Sequence, residues 1–238
     1  MRKNLIAAAA AGIAVIALLG VGAYAYFFSG LRSSPPSLAL SASPSPTSTS
    51  TAATTGLAGT WTVATGSLAG YRVQELFAGA TSKHLAVART SNVSGTLTLN
   101  GDSSGYQVSG ITLSADLSSL HSVDQVVGRN VTQRDGIVSR QLNVQQFPNA
   151  TFTAAAASVP GPVTGSPVDV TAPGKLTIRG VTHDVTATTK AQVVGDRIEI
   201  AGTLSINMAD YGVTPPQVPF TAVDSTVTIE FDVFLARS

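Results

Sequence analysis

The stretch GKLTIRGVTHDVT, Gly174 to Thr186, decides how this chain folds. Leu176 and Ile178 alternate with Lys175, Thr177 and Arg179, and beyond Gly180 the residues Val185 and Ala187 alternate with Asp184, Thr186 and Thr188. A period of two interrupted by Arg-Gly is the pattern of a β-hairpin. A loop from Arg179 to Thr182 sets Leu176 opposite Val185 and Ile178 opposite His183, so the apolar residues of both strands share one face. Asp184 is then expected to pair with Arg179 across the turn.

The same alternation spreads outward from this hairpin. Val227, Ile229, Phe231, Val233 and Leu235 recur at every second position near the C-terminus, as do Ile111, Leu113, Ala115 and Leu117, and Leu204, Ile206 and Met208. Shorter runs occur at Tyr71 and Val73, Leu97 and Leu99, and Ile198 and Ile200. Turn residues punctuate them at Asn100-Gly101-Asp102, Pro160-Gly161-Pro162, Pro173-Gly174 and Gly195-Asp196. Many short strands at regular spacing imply a closed antiparallel barrel or a sandwich. Glu230 and Asp232, on the opposite parity of the last strand, read as solvated. Only Val126 to Phe147 breaks the rhythm: Val127, Val131, Val138 and Leu142 recur at helical spacing, and Pro148 is expected to end the helix.

The N-terminal quarter has a different composition. After Met1-Arg2-Lys3-Asn4, residues Leu5 to Leu31 carry no charge, long enough for a helix that crosses about 30 Å of hydrocarbon. The preceding basic residues keep residues 1–4 cytoplasmic and place everything after Leu31 outside. The alternative is a cleaved signal peptide, since Ala23-Tyr24-Ala25 matches a small-x-small site. Without cysteine, the chain has no lipoprotein acylation site and no disulfide scaffold. Residues 32–58 are rich in Ser, Thr, Pro and Ala and read as a linker with a reach on the order of 30 Å. Residues 59–238 form the folded domain.

Within that domain, eleven basic residues face thirteen acidic ones, a net charge of −2 with no basic stripe for nucleic acid. His84, His121 and His183 lie far apart, so no metal ligands are assigned. No serine occupies a GxSxG elbow and no Gly-rich phosphate loop occurs, so no catalytic residue is assigned and no cofactor is called for.

Four motifs in order carry a family resemblance: Arg134-Asp135 in the helical segment, Phe147-Pro148-Asn149-Ala150-Thr151-Phe152, Leu176-Thr177-Ile178-Arg179-Gly180-Val181-Thr182, and Asp210-Tyr211-Gly212-Val213. With Trp61 at the first strand, they resemble the YceI-like family of exported bacterial proteins, from about Gly59 to Arg237. The resemblance implies an eight-stranded, lipocalin-like antiparallel barrel that binds an isoprenoid or similar lipid rather than turning it over. Two departures bear on the pocket mouth: Leu142-Asn143-Val144 replaces a Phe-Phe-Asp common in the family, and Asn207-Met208 replaces an Arg before the Asp-aromatic-Gly turn.

The residues alone leave the interior open, because a barrel of about eight strands either fills with side chains or holds one small ligand. The low aromatic content, 6%, favours a hollow one. Candidate pocket residues are Tyr71, Val73, Phe152, Leu204 and Ile206, with Leu142 and Phe147 closing the mouth. Arg134 either anchors a loop through an ion pair or meets a polar headgroup at the mouth. The expected function is a membrane-tethered, extracytoplasmic carrier of an apolar lipid (isoprenoid, quinone or acyl chain). The alternative is a filled interaction module of the cell envelope that docks a protein partner through a loop such as Val213 to Phe220.

Overall fold

The computed structural model describes residues 16–24, 32–41, 56–80, 82–161, 166–215, 217–218 and 221–238. In chain order the elements are α1 (residues 16–24), β1 (Arg32–Ser33), β2 (Gly59–Val63), β3 (Leu68–Phe77), β4 (His84–Thr90), β5 (Val93–Asp102), β6 (Gly105–Asp116), β7 (His121–Ser122) and β8 (Gln125–Val126). There follow α2 (Gln133–Gln141), β9 (Asn149–Pro160), β10 (Val168–Ile178), β11 (Val181–Val194), β12 (Arg197–Asn207), β13 (Gln217–Val218), β14 (Thr221–Val223) and β15 (Thr226–Arg237).

Neighbouring strands pair antiparallel in the order β12-β11-β10-β9-β6-β5-β2-β15, and pairing of β12 with β15 closes these eight into a barrel. β3 continues beside β15 past the end of β2, pairs with β14 further along the same edge, and carries β4 on its other edge. The inward parity supplies the core: Trp61, Leu97, Leu99, Val108, Leu176, Ile178, Ala187 and Leu235 are all buried. Trp61 keeps its indole N–H satisfied by donating to the Leu57 carbonyl at 2.9 Å.

The hairpin that opens the sequence reading is present with a tighter turn than expected. Ile178 pairs with Val181, Leu176 with His183 and Gly174 with Val185, leaving a loop of only Arg179 and Gly180. Both loop residues have positive φ, 53° and 76°, the conformation whose twist matches that of the flanking strands. The register moves by two residues, so parity and the shared apolar face survive. Arg179 donates to the Gly212 carbonyl instead of pairing with Asp184, and Asp184 pairs with Lys175 at 2.7 Å, both side chains in solvent.

Pro173-Gly174 is not a turn but lies inside β10. β9 bonds β10 only from Lys175 to Thr177, so the proline, lacking an N–H, sits where that ladder is not made. The glycine admits β9, since a Cβ there would lie 2.5 Å from the Thr153 carbonyl oxygen. The helical segment is also shorter than its periodicity suggests. α2 stops at Gln141, and Asn143 at φ 51° turns the chain well before Pro148; Val127 lies outside the helix and is exposed.

Residues 32–41, whose composition reads as linker, lie along the outside of the barrel. β1 pairs with β8, Ser34 Oγ donates to the Leu85 carbonyl, and the carbonyls of Pro35 and Pro36 accept from Arg72 and Arg89 at 2.6 Å each. Leu38 N–H donates to Glu230, and Ser41 donates through N–H and Oγ to Glu199. This strap covers Glu199 and Glu230 completely (0% exposed), which corrects the expectation that Glu230 is solvated. Arg72 and Arg89 each hold one oxygen of Glu230, and Gln192 donates to Glu199. Asp232, beside them, is partly buried, with Oδ1 lacking a protein partner.

Among the described residues no helix is long and apolar enough to cross a membrane. The described helical residues 16–24 are one part of the apolar run; the rest of that run, the cleavage motif at Ala25 and residues 42–55 fall outside the described residues. In α1, Ile16, Leu18, Leu19, Val21 and Tyr24 are all exposed large side chains.

Candidate ligand cavity

Inward-facing Ala, Val and Leu leave the barrel unfilled, and the space forms two chambers. The far chamber, about 180 Å³, is lined by residues such as Leu97, Val108, Phe152, Leu204 and Phe231. The chamber at the α2 end is larger, about 590 Å³, within the range of small-molecule sites. Tyr71, Val73, Leu142, Ile206 and Met208 line it. Ala69, Ala115, Ala150 and Ile229 line both chambers, which therefore adjoin there. Three of the four are alanines, so little side-chain bulk stands between the two spaces.

The structure therefore gathers Tyr71, Val73, Leu142, Ile206 and Arg134 around the large chamber and Phe152 and Leu204 around the small one. Phe147 lines neither. It packs over the hairpin turn, where a Cβ on Gly180 would lie 2.7 Å from its ring, so it braces the β10–β11 corner rather than closing the mouth.

Charge is confined to one end, although Ser114, Thr189 and Gln192 add uncharged polar groups to the small chamber. Glu75, Arg129, Asn130, Gln133 and Arg134 lie on the wall of the large chamber, whereas hydrocarbon dominates the small one. Arg134 does not wait unpaired for a headgroup. Its Nη2 donates to Glu75 at 2.6 Å and its Nη1 to Asp124 at 2.7 Å, with Ser122 Oγ at 3.1 Å. Asp124 also meets His84 Nε2 at 2.7 Å and accepts from Val87 N–H. Next in sequence, Asp135 accepts from the Ser122 N–H and hydroxyl, which ties α2 to β7.

These contacts set the charges. Burial alone would raise the Asp124 carboxyl, but bonds from His84, Arg134 and Val87 outweigh it and hold the group well below the usual carboxylate range. Burial likewise opposes the charge on Arg134, and its two carboxylate partners overcome that and push it up. Burial raises the Tyr71 hydroxyl, with Arg134 pulling the other way.

Glu75, His84 and Asp124 hold ligand-type atoms within 4.8 Å of one another, a cluster that histidine spacing does not reveal. Arg134 donates to both carboxylates, so the arrangement is an ion-pair network closed by an arginine. One part of it was readable: Glu75 has the inward parity of Tyr71 and Val73, a charge on an apolar face. Pairing of Glu75 with His84 across β3 and β4 then follows from register. Nothing local points to Asp124.

The YceI-like domain profile matches residues 49–235. The chain belongs to the YceI-like family. Among solved structures, this YceI-like chain resembles a polyisoprenoid binding domain from Saccharophagus degradans implicated in plant cell wall breakdown, at 19% identity and a TM-score of 0.51, covering 76% of this chain and 99% of that one. It also resembles BcnA of Burkholderia cenocepacia, at 18% identity and a TM-score of 0.46, covering 69% of this chain and 95% of the other. The first likeness establishes the shared barrel. No curated protein sequence matches.

Proposed function

We propose that this YceI-like chain is a binding protein whose joined chambers hold an apolar chain such as an isoprenoid, quinone or acyl lipid, without turning it over. The observation that carries this reading is a cavity of hydrocarbon walls with its charged groups at one end. Apolar cavities of this kind stay dry and take apolar guests. Each methylene moved into one from water contributes about 0.8 kcal/mol. A long chain therefore binds through its tail, and the polar wall near Arg129 and Gln133 is the place for its head. The Saccharophagus domain, described as polyisoprenoid binding, supports the ligand class.

The proposal includes a tether. The uncharged run from Leu5 to Leu31 anchors the chain as a single-pass protein with the barrel outside the cell membrane, and secretion after cleavage near Ala25 is the runner-up. Ligands of this class are scarcely soluble, and a carrier held at the bilayer exchanges with it directly.

Native mass spectrometry with lipid extraction on the full chain, purified from the cells that make it, tests the carrier. One co-purifying lipid near equal stoichiometry is the expected result. A barrel that carries nothing and takes up neither added quinones nor polyprenols rejects it, leaving the filled or protein-docking module to pursue.

A further inference from the structure

We infer that the α2 end of the barrel rests on the lipid bilayer, with the polar-rimmed chamber facing the membrane and the strap holding it there. The inference rests on the tether reading above and adds an orientation to it. Leu31 is the last residue of the apolar run, and the next residue is docked: Arg32 pairs with Val126 and Ser33 with Gln125. Arg32 Nη1 also donates to the carbonyl and the hydroxyl of Ser82, in the connection between β3 and β4. One residue spans at most about 3.6 Å. The chain therefore leaves the apolar run within a residue or two of β8, and Gly128 to Val131, directly after β8, line the large chamber.

The strap prevents the barrel from turning away. From Ser34 to Ser41 it is bonded in succession to Leu85, Arg72, Arg89, Glu230 and Glu199, crossing β4, β3, β15 and β12. What composition suggests is a free spacer is, over these residues, a brace.

A second observation is independent of the strap. Outside α1, the exposed large apolar side chains among the described residues are Leu76 and Val127, and both lie at this end, one at the tip of β3 and one just after β8. Exposed apolar groups next to the point where an apolar run joins the fold suit a bilayer interface. A lipid leaving the membrane there reaches the chamber without crossing open water.

The chain contains no cysteine, so a single label reports one site. Val127→Cys marks the α2 end, and Asp196→Cys marks the opposite end, in the exposed turn between β11 and β12. Strands of this length, tilted as in a small barrel, separate the two ends by roughly 30 Å. The full-length variants, fluorescently labelled, go into phosphatidylcholine and phosphatidylglycerol vesicles carrying a headgroup-attached quencher. The expected result is several-fold stronger quenching at position 127 than at 196. A flexible Gly/Ser insert between Leu31 and Arg32, which leaves strap and barrel unchanged, should abolish the contrast. Equal quenching of a vesicle-bound chain overturns the orientation and leaves the tether intact, and a chain that vesicles do not retain overturns both.

Discussion

On β15, Val227, Ile229 and Val233 look into a cavity, whereas Glu230, between them in sequence, looks outward and is completely covered. The two faces of one strand thus invert the usual arrangement of a packed inside and an open outside. Apolar side chains bordering a void lose only some dispersion contacts, because no group there needs a partner. A covered carboxylate is different, since taking it from water costs several kcal/mol unless counter-charges and donors replace the solvent. Glu230 has both, from Arg72, Arg89 and the Leu38 N–H. On this strand, space borders the face with nothing polar to satisfy, and close contact is found on the face where charge is covered.

The sharpest way to break that contrast is Glu230→Gln. It keeps the shape but strands two arginines under the strap, and should cost about 3–5 kcal/mol in urea unfolding at pH 7. A loss below about 1 kcal/mol would mean that the outer face is held by something other than its ion pairs. Inside, Ala150→Phe puts a ring where the two chambers adjoin. Filling a void should leave stability within about 1 kcal/mol, where a filled core would lose about 1–3. Uptake of long polyprenols should disappear while short ones still bind the large chamber, as read by native mass spectrometry. Unchanged uptake of long chains would show that the chambers are not used as one.

The smallest effect concerns Asp232. Burial, aided by the charge of and hydrogen bonding with Glu199, pushes its carboxyl from 3.8 up to about 6. Between these values the folded chain keeps a proton that the unfolded chain has released. Its contribution therefore weakens stability as pH rises from about 4 to about 6, and the penalty persists above. Because the side chain is only partly buried, the effect is discounted to on the order of 1 kcal/mol. Asp232→Asn should flatten this slope and raise the melting temperature at pH 7 by about 2–4 °C, with little change at pH 4. A melting temperature that drops at pH 7 would show that the ionised carboxylate is stabilising.

Much of the barrel was legible because strand alternation is a local property. The parity of Leu176, Ile178 and Val185 survived a two-residue error in register, since an even shift keeps every side chain on its face. Pro173-Gly174 misled because a turn signal cannot say whether the neighbouring strand is paired there. Of the pocket candidates, those on alternating strands line the cavity, as does Leu142 from the helical segment, while Phe147 from the end of that segment packs on a hairpin turn. Arg134 was legible as a residue to watch but not as the centre of a cluster, because Glu75 and Asp124 come from other elements.

By itself, then, the sequence determined which residues turn inward, that the chain reverses from Arg179 onward though not how tightly, that an uncharged run precedes the fold, and which family the motifs resemble. All of these are set by neighbours a few residues apart. The tertiary structure alone decided that Leu38 covers Glu230, that Asp124 meets Arg134 and His84, and that two chambers adjoin at a wall made mostly of alanines. Those facts depend on segments brought together by barrel closure, and the partners of a buried charge or the volume of a void belong to the assembled fold rather than to any stretch of chain.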